Sequence, residues 1–341
     1  MGKKLVLEGP EKLVWKEYEE PPLKPGQVRV VSKYSAAKHG TEMALYKGYS
    51  NFRGGWNNEL KLFEGGKPSN PYPRSVGNMF VGEVSEIAAD VTNLSVGEIV
   101  FGHDGFADTH VIDAGRLRKL PGKMNWQAAV CLDPAEFAFG AVRDGNIRIG
   151  DRVAVFGMGA IGLVAVQLAR ISGATKVIAV DPLANRRQAA KRCGADEVVD
   201  PTACDAGRTI KEMTAKLGAD VCIEVSGSRQ ALQHAVRGVA FGGTVVCVAY
   251  PPPYDAGLDF GAEAHLNRPQ IVFSRACSDP NREHPRWSDE RIIACCFDLL
   301  VAGAIRGEAI VDPVVPFAKV AEEYQKIARD PGANIKLGCE H

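Results

Sequence analysis

The chain has 341 residues, 45% of them hydrophobic, with 41 Lys plus Arg against 41 Asp plus Glu. That composition is ordinary for a globular protein, and zero net charge gives no global field to attract nucleic acid or an anionic membrane. No apolar run reaches the roughly 20 residues of a membrane span. The opening MGKKLVLEGPEKLVW lacks the apolar core and cleavage site of a secretory signal. The expectation is a cytoplasmic protein of about two domains.

Residues 1–124 read as strand-rich. Stretches such as QVRVVSKYSA, MFVGEVSEIA and GEIVFG are separated by Gly-, Pro- and Asn-bearing turns. From 125 to 275 strands alternate with helix-length segments. VAVFG leads into AIGLVAVQLARISG, then come KVIAVD, a helix through RRQAAKRCG, EVVD, an amphipathic segment near TIKEMTAKLG, DVCIEVSG, a helix from RQALQHAV, GTVVCVAY and QIVFSRA. Such alternation with nearly continuous apolar strands predicts a doubly wound parallel sheet covered on both faces, an α/β class. The tail predicts a helix around SDERIIACCFDLLVAG, a short strand near AIVDPVV and a helix at AKVAEEYQKIAR. The reading is a β-rich domain from 1–124 plus 276–341 and a nucleotide-binding domain over 125–275. All nine cysteines lie from Cys131 onward without a C-x-x-C pair. Most sit in apolar runs, which suits buried thiols in a reducing compartment better than disulfides or metal ligands.

The strongest motif is GMGAIG at 157–162. Gly157, Gly159 and Gly162 follow an apolar strand and open an apolar helix, permitting a tight turn, backbone approach to a pyrophosphate and close helix–strand packing. The helix start, Ala160 and Ile161, would offer N–H groups and a positive dipole end to phosphate. Asp181 ends the next strand, 19 residues past Gly162. A carboxylate there accepts hydrogen bonds from the ribose diol and repels a 2′-phosphate, favouring NAD over NADP. Arg186 and Arg187 leave three readings: a solvated helix start, a contact to the cofactor, or tolerance of a 2′-phosphate. Arg186, Ser226 and Ala249 complete the expected set of cofactor contacts.

The order of parts, with SVGNMFVGEV, HGTEMALYKG and LDPAEFAFGAV before the fingerprint, resembles the medium-chain dehydrogenase/reductase superfamily over nearly the whole chain. The resemblance implies a GroES-like catalytic domain beside the Rossmann domain, and a homodimer or homotetramer. In zinc-dependent members a Cys, a His and a Glu or further Cys or Asp hold the metal. This chain has His39 at the Cys position, Asn78 at the His position, Met79 at the adjacent Glu position and Asp133 at the Glu-Pro position. An amide and a thioether are poor partners for Zn²⁺. No cysteine precedes 131 to build the structural zinc lobe, so the expectation is no bound metal.

Without a metal, alcohol oxidation needs a general base and donors for the developing alkoxide. Thr41 stands at the family's proton-relay position. Lys38 or His39 would serve as the base, His39 having the more convenient intrinsic pKa, and Asp133 would orient or tune it. Asn78 and Glu136 would contact substrate. Duller readings stand beside these: Lys38 as a snorkelling surface lysine, Glu42 as a supporting carboxylate, and Asp133 as the anchor of an extended turn before Pro134. So polar a set of candidates points to a small hydroxyl-rich substrate, a sugar, sugar acid or cyclitol. The expected activity is hydride transfer between NAD and a hydroxyl or carbonyl. A zinc-free enone or quinone reductase, an NAD(H)-binding sensor and a zinc enzyme using His39 and Asp133 remain open alternatives.

Overall fold

The computed structural model describes residues 1–48, 54–65, 71–276 and 281–341. They divide into two compact units, one of Met1–Leu120, Val314–Pro331 and Leu337–His341, the other of Pro121–Pro313 and Gly332–Lys336. No helix among the described residues is long and apolar enough to cross a membrane.

The first unit is built on period-two burial. The strand Gln27–Ala36 buries Val28 and Val30 and turns Arg29 and Val31 away from the core. It pairs antiparallel with Met79–Ile87 and with Thr109–Asp113. The sheet runs in the order Arg118–Lys119, Ile99–His103, Met79–Ile87, Gln27–Ala36, Lys336–Glu340, Val311–Pro316. Val28, Val30, Phe80, Val84, Val100 and Ile112 fill its core. Each such side chain, fully buried, contributes roughly 1.5–3 kcal/mol. A smaller sheet pairs Gly2–Gly9 with Lys12–Tyr18 and with the two-residue strand Arg74–Ser75. A second core joins Leu5 and Leu7 to Leu45, Tyr46, Val76, Tyr324 and Leu337, and so pins the short helix His39–Tyr46 to the C-terminal helix Val320–Arg329.

The second unit is a six-stranded parallel sheet. Chain order starts at its centre with Arg152–Phe156, moves outward through Lys176–Val180 to Glu197–Val199, then returns to the other side for Ala219–Glu224, Val239–Cys247 and Gln270–Phe273. Val153 to Phe156 and Val177 to Ala179 are fully buried, as a sheet with helices on both faces demands. The strand order reverses at Arg152–Phe156 and Ala219–Glu224. Their carboxyl ends flank the crevice where such sheets bind ligands.

The α/β class and the Rossmann arrangement agree with the sequence expectation. Two particulars differ. Residues 276–313 belong with the parallel sheet rather than with the β-rich unit, because the helix Asp289–Val301 packs on the helix Leu132–Asp144 and buries Ile292, Cys296 and Leu300. Asp133 anchors no extended turn. It lies in the first turn of Leu132–Asp144, where Pro134 is tolerated because the N–H it lacks would have no partner in the helix.

Candidate active site

The fingerprint loop is shaped by backbone contacts. Gly157 follows the strand Arg152–Phe156 at φ +95°, and a Cβ on it would sit 2.8 Å from the Cβ of Ser226. A Cβ on Gly162 would lie 1.9 Å from the Gly157 carbonyl oxygen. The first turn of the helix Ala160–Ile171 therefore packs directly on the loop, and only glycine allows it. Gly159 is different. A Cβ there meets nothing within 4 Å, so the loop has free space on the side where Ala160 and Ile161 begin the helix. The unpaired N–H groups of that helix end suit a pyrophosphate.

Asp181, 3% exposed, follows the strand Lys176–Val180. Its Oδ2 accepts from the Met158 N–H at 2.7 Å and its Oδ1 from the Leu183 N–H at 2.8 Å. Each carboxylate oxygen keeps a second lone pair for a ribose hydroxyl. Arg187 is committed: it donates to the Asp181 carbonyl at 2.7 Å and pairs with Asp200 at 3.0 Å. Arg186 donates to the Asn334 carbonyl at 3.3 Å. Burial holds its guanidinium below the usual arginine range, with Asp181 opposing.

Ser226 and Ala249 stand at the carboxyl ends of Ala219–Glu224 and Val239–Cys247, where a Cβ on Gly227 would lie 3.3 Å from the Ala249 methyl. The turn is organised by Glu224, a residue that the sequence pattern did not single out. It is 2% exposed and accepts from the Ser226 N–H at 2.7 Å, from the Gly227 N–H at 3.0 Å and from the Ser226 hydroxyl. Burial pushes its carboxyl up, and these donors pull the other way. The available signal was an acid closing an apolar strand in DVCIEVSG.

In the first unit, Lys38, Thr41 and Asn78 line one cavity of about 110 Å³, together with Glu42 and Arg74. Lys38 immediately precedes the helix His39–Tyr46, and Thr41 is exposed on its first turn. His39 opens that helix, and its side chain lies outside the described residues. Asn78 reaches the cavity because Gly77, at φ +100°, passes so close to Phe106 that a Cβ would be 2.6 Å from its backbone nitrogen. The Asn78 N–H donates to the Ala36 carbonyl at 2.9 Å. Its side-chain Nδ2 is buried with no partner among the described residues. Met79 is 1% exposed, within the core.

Glu42 acts as a support. Its Oε1 accepts from the Gly77 N–H and its Oε2 from the Tyr324 hydroxyl, each at 3.2 Å. Tyr324 is fully buried. Burial, with the adjacent Glu42 carboxylate, raises its phenol well above the ordinary tyrosine range, so it remains a donor. Arg74 and Tyr324 were not singled out in the sequence: one lies in a turn-rich stretch, the other in an ordinary amphipathic helix.

Asp133 and Glu136 stand on the helix Leu132–Asp144 of the second unit, Asp133 buried and Glu136 half-buried. Asp133 and the buried Lys336 both act on the Cys131 thiol, which burial pushes up to about 12. Among the described residues no group of three or more His, Cys, Asp or Glu side chains converges as a metal site.

The family described as zinc-binding dehydrogenase matches residues 160–287. D-guloside 3-dehydrogenase of Escherichia coli K12 is 44% identical over 348 aligned positions, which cover 98% of this chain and 99% of that protein. The chain belongs to the medium-chain dehydrogenase/reductase superfamily. It is an oxidoreductase of the alcohol and polyol dehydrogenase type. Scyllo-inosose 3-dehydrogenase of Thermotoga maritima, another such relative, is 34% identical over 249 positions, 69% of this chain and 60% of that protein. Among solved structures of medium-chain dehydrogenases, 2R,3R-butanediol dehydrogenase of Bacillus subtilis superposes with a TM-score of 0.79 at 22% identity, covering 100% of both chains.

Proposed function

We propose that this protein is an NAD-dependent dehydrogenase that oxidises a secondary hydroxyl of a sugar, glycoside or cyclitol without a catalytic metal. The observation that carries the reading is the cavity in which Lys38, Thr41 and Asn78 meet, with the Asn78 Nδ2 buried and unpaired among the described residues. A buried donor of that kind is costly until something accepts from it, and a hydroxyl-bearing substrate does so. The whole-length similarity to a guloside 3-dehydrogenase supports the substrate class.

Zinc does not fit this cavity. At two of the four positions corresponding to the family's ligands stand an amide and a thioether directed into the core, leaving only His39 and Asp133 as donors suited to zinc, and the basic Lys38 and Arg74 side chains line the same walls. We assign the proton chemistry to side chains. Thr41 hydrogen-bonds the reacting hydroxyl, Lys38 or His39 in its neutral form takes the proton, and Asn78 donates to the oxygen as charge develops. Glu42, clamped by Tyr324 and Gly77, fixes the helix that carries Lys38 and Thr41.

NAD fits the second unit. Gly157, Gly159 and Gly162 with the N–H groups of Ala160 and Ile161 would hold the pyrophosphate, and Asp181 the adenosine ribose, with Ser226 and Ala249 along the crevice. When bound, NAD accepts the hydride. The preference over NADP rests on the Asp181 carboxylate and on the commitments of Arg187 to Asp200 and of Arg186 to the Asn334 carbonyl. Asp133 and Glu136 we assign to positioning of base and substrate. A homodimer or homotetramer is part of the reading, supported by the terminal strand Gln270–Phe273, whose Phe273 is 79% exposed.

The test combines metal analysis of the purified protein with NADH absorbance on a panel of glycosides, sugars, cyclitols and simple alcohols. NAD-dependent turnover of glycosides or cyclitols with substoichiometric zinc is the expected result. Stoichiometric zinc, with turnover lost to a chelator, would overturn the metal-free reading. NADH binding without turnover of any panel member would overturn the enzymatic one.

A further inference from the structure

A dehydrogenase of neutral sugars has no evident need for a permanent cation beside its substrate, yet Arg74 lines the Lys38 cavity. Lys38 and Arg74 stand there against one carboxylate, Glu42. Both Glu42 oxygens already accept hydrogen bonds, from Gly77 and Tyr324.

Arg74 is the unexplained member. Its backbone is fixed, since Arg74–Ser75 pairs with Gly2–Gly9 in the register Leu7 to Arg74 and Val6 to Ser75. Its side chain is exposed and makes no ion pair among the described residues. A structural arginine would be expected to hold a carboxylate or carbonyl. This one presents a planar, permanently charged fork beside the groups assigned to the reacting hydroxyl.

We propose that Arg74 is a specificity-determining residue that binds a carboxylate on the substrate, so that the preferred substrate is a sugar acid or uronide rather than the neutral sugar. The inference rests on the dehydrogenase reading above and narrows it. A guanidinium donates two parallel N–H bonds to a carboxylate, a geometry that an ammonium does not reproduce.

The experiment compares kcat/KM for a methyl hexoside and the matching methyl hexuronide in wild-type protein, Arg74→Met and Arg74→Lys, with melting temperatures confirming that each variant is folded. Wild type is expected to favour the uronide by about tenfold or more. Arg74→Met should collapse that ratio through a rise in KM for the uronide, whatever it does to the hexoside, and Arg74→Lys should leave an intermediate ratio. No uronide preference in wild type, or an unchanged ratio in Arg74→Met, would overturn the proposal. So would a stronger preference for the hexose phosphate than for the uronide. If neither sugar is oxidised, the dehydrogenase reading fails by itself. Isothermal titration of the uronide against wild type and Arg74→Met then decides the Arg74 assignment, binding that is lost in the variant supporting it and binding that is absent or equal in both overturning it.

Discussion

The fingerprint loop of the second unit and the Lys38 cavity of the first impose opposite kinds of constraint on sequence. In the loop the limiting contacts are between backbone atoms: a Cβ on Gly162 would fall 1.9 Å from the Gly157 oxygen, so the residue type is dictated by space. In the cavity the scaffold is equally rigid, with Gly77 wedged against Phe106, but the side chains that reach the interior are free to change. There an amide, a lysine and an arginine line the space above the strands. A backbone site resists drift, and a side-chain site lets one fold acquire a different acid–base chemistry.

That contrast can be broken most sharply at the cavity. Lys38→Met and Thr41→Ala should each lower kcat by about 10²–10⁴ if the substituted group moves the proton, while NADH affinity, read by fluorescence titration, stays close to wild type. Loss of NADH binding in step with kcat would erase the division of labour between the two regions. Gly162→Ala should do the reverse. With a backbone oxygen in the way, it is expected to cost about 3 kcal/mol or more, seen as a lower melting temperature and weakened NADH binding. A neutral result there would show that the loop is more compliant than its contacts imply.

Acid should separate the units as well. The His341 side chain is buried, stacked on Phe317, hydrogen-bonded to Ser35 at 2.9 Å and faced by Asp108 at 3.9 Å, with Cys339 and His110 nearby. Burial holds its pKa down to about 4. Folded protein therefore binds this proton less readily than unfolded chain. Stability is full above the ordinary histidine pKa of about 6.5 and falls as pH drops towards about 4, by up to about 3 kcal/mol. Melting curves across that range should flatten in His341→Gln, and an equally steep variant would show that other groups govern acid unfolding. Smaller effects refine the picture. Asp181→Asn should weaken NAD binding by about tenfold and narrow the preference over NADP, as measured by titration with both cofactors. Tyr324→Phe should cost about 1 kcal/mol in denaturant unfolding.

The same contrast explains what could be read in the residues beforehand. GMGAIG and Asp181 were legible because their requirement is local, a few consecutive positions between a strand and a helix. The strand and helix order of the second unit followed from hydrophobic pattern alone. Residues 276–313 were assigned to the wrong unit because the surface that claims them, the helix Leu132–Asp144, lies far away in sequence. Asp133 before Pro134 suggested an extended turn, since local preference was visible and the helix around it was not. Lys38, Thr41 and Asn78, singled out through their positions in a familiar pattern, line one cavity. Arg74 corresponds to nothing in that pattern, and its place beside Lys38 emerges only in the fold. Glu224 was hidden as one acid at the end of an apolar strand.

The Glu42–Tyr324 hydrogen bond spans 282 positions, and it bears on how the protein is made. The fingerprint loop and Ser226, on which Gly157 packs, are synthesised well before the helix Val320–Arg329, which the support under Thr41 and Lys38 must await. A ribosome-bound or truncated product ending before that helix should accordingly leave the His39–Tyr46 helix without its clamp. The last segments made would thus complete both units at once, the clamp of the first and Gly332–Lys336 of the second.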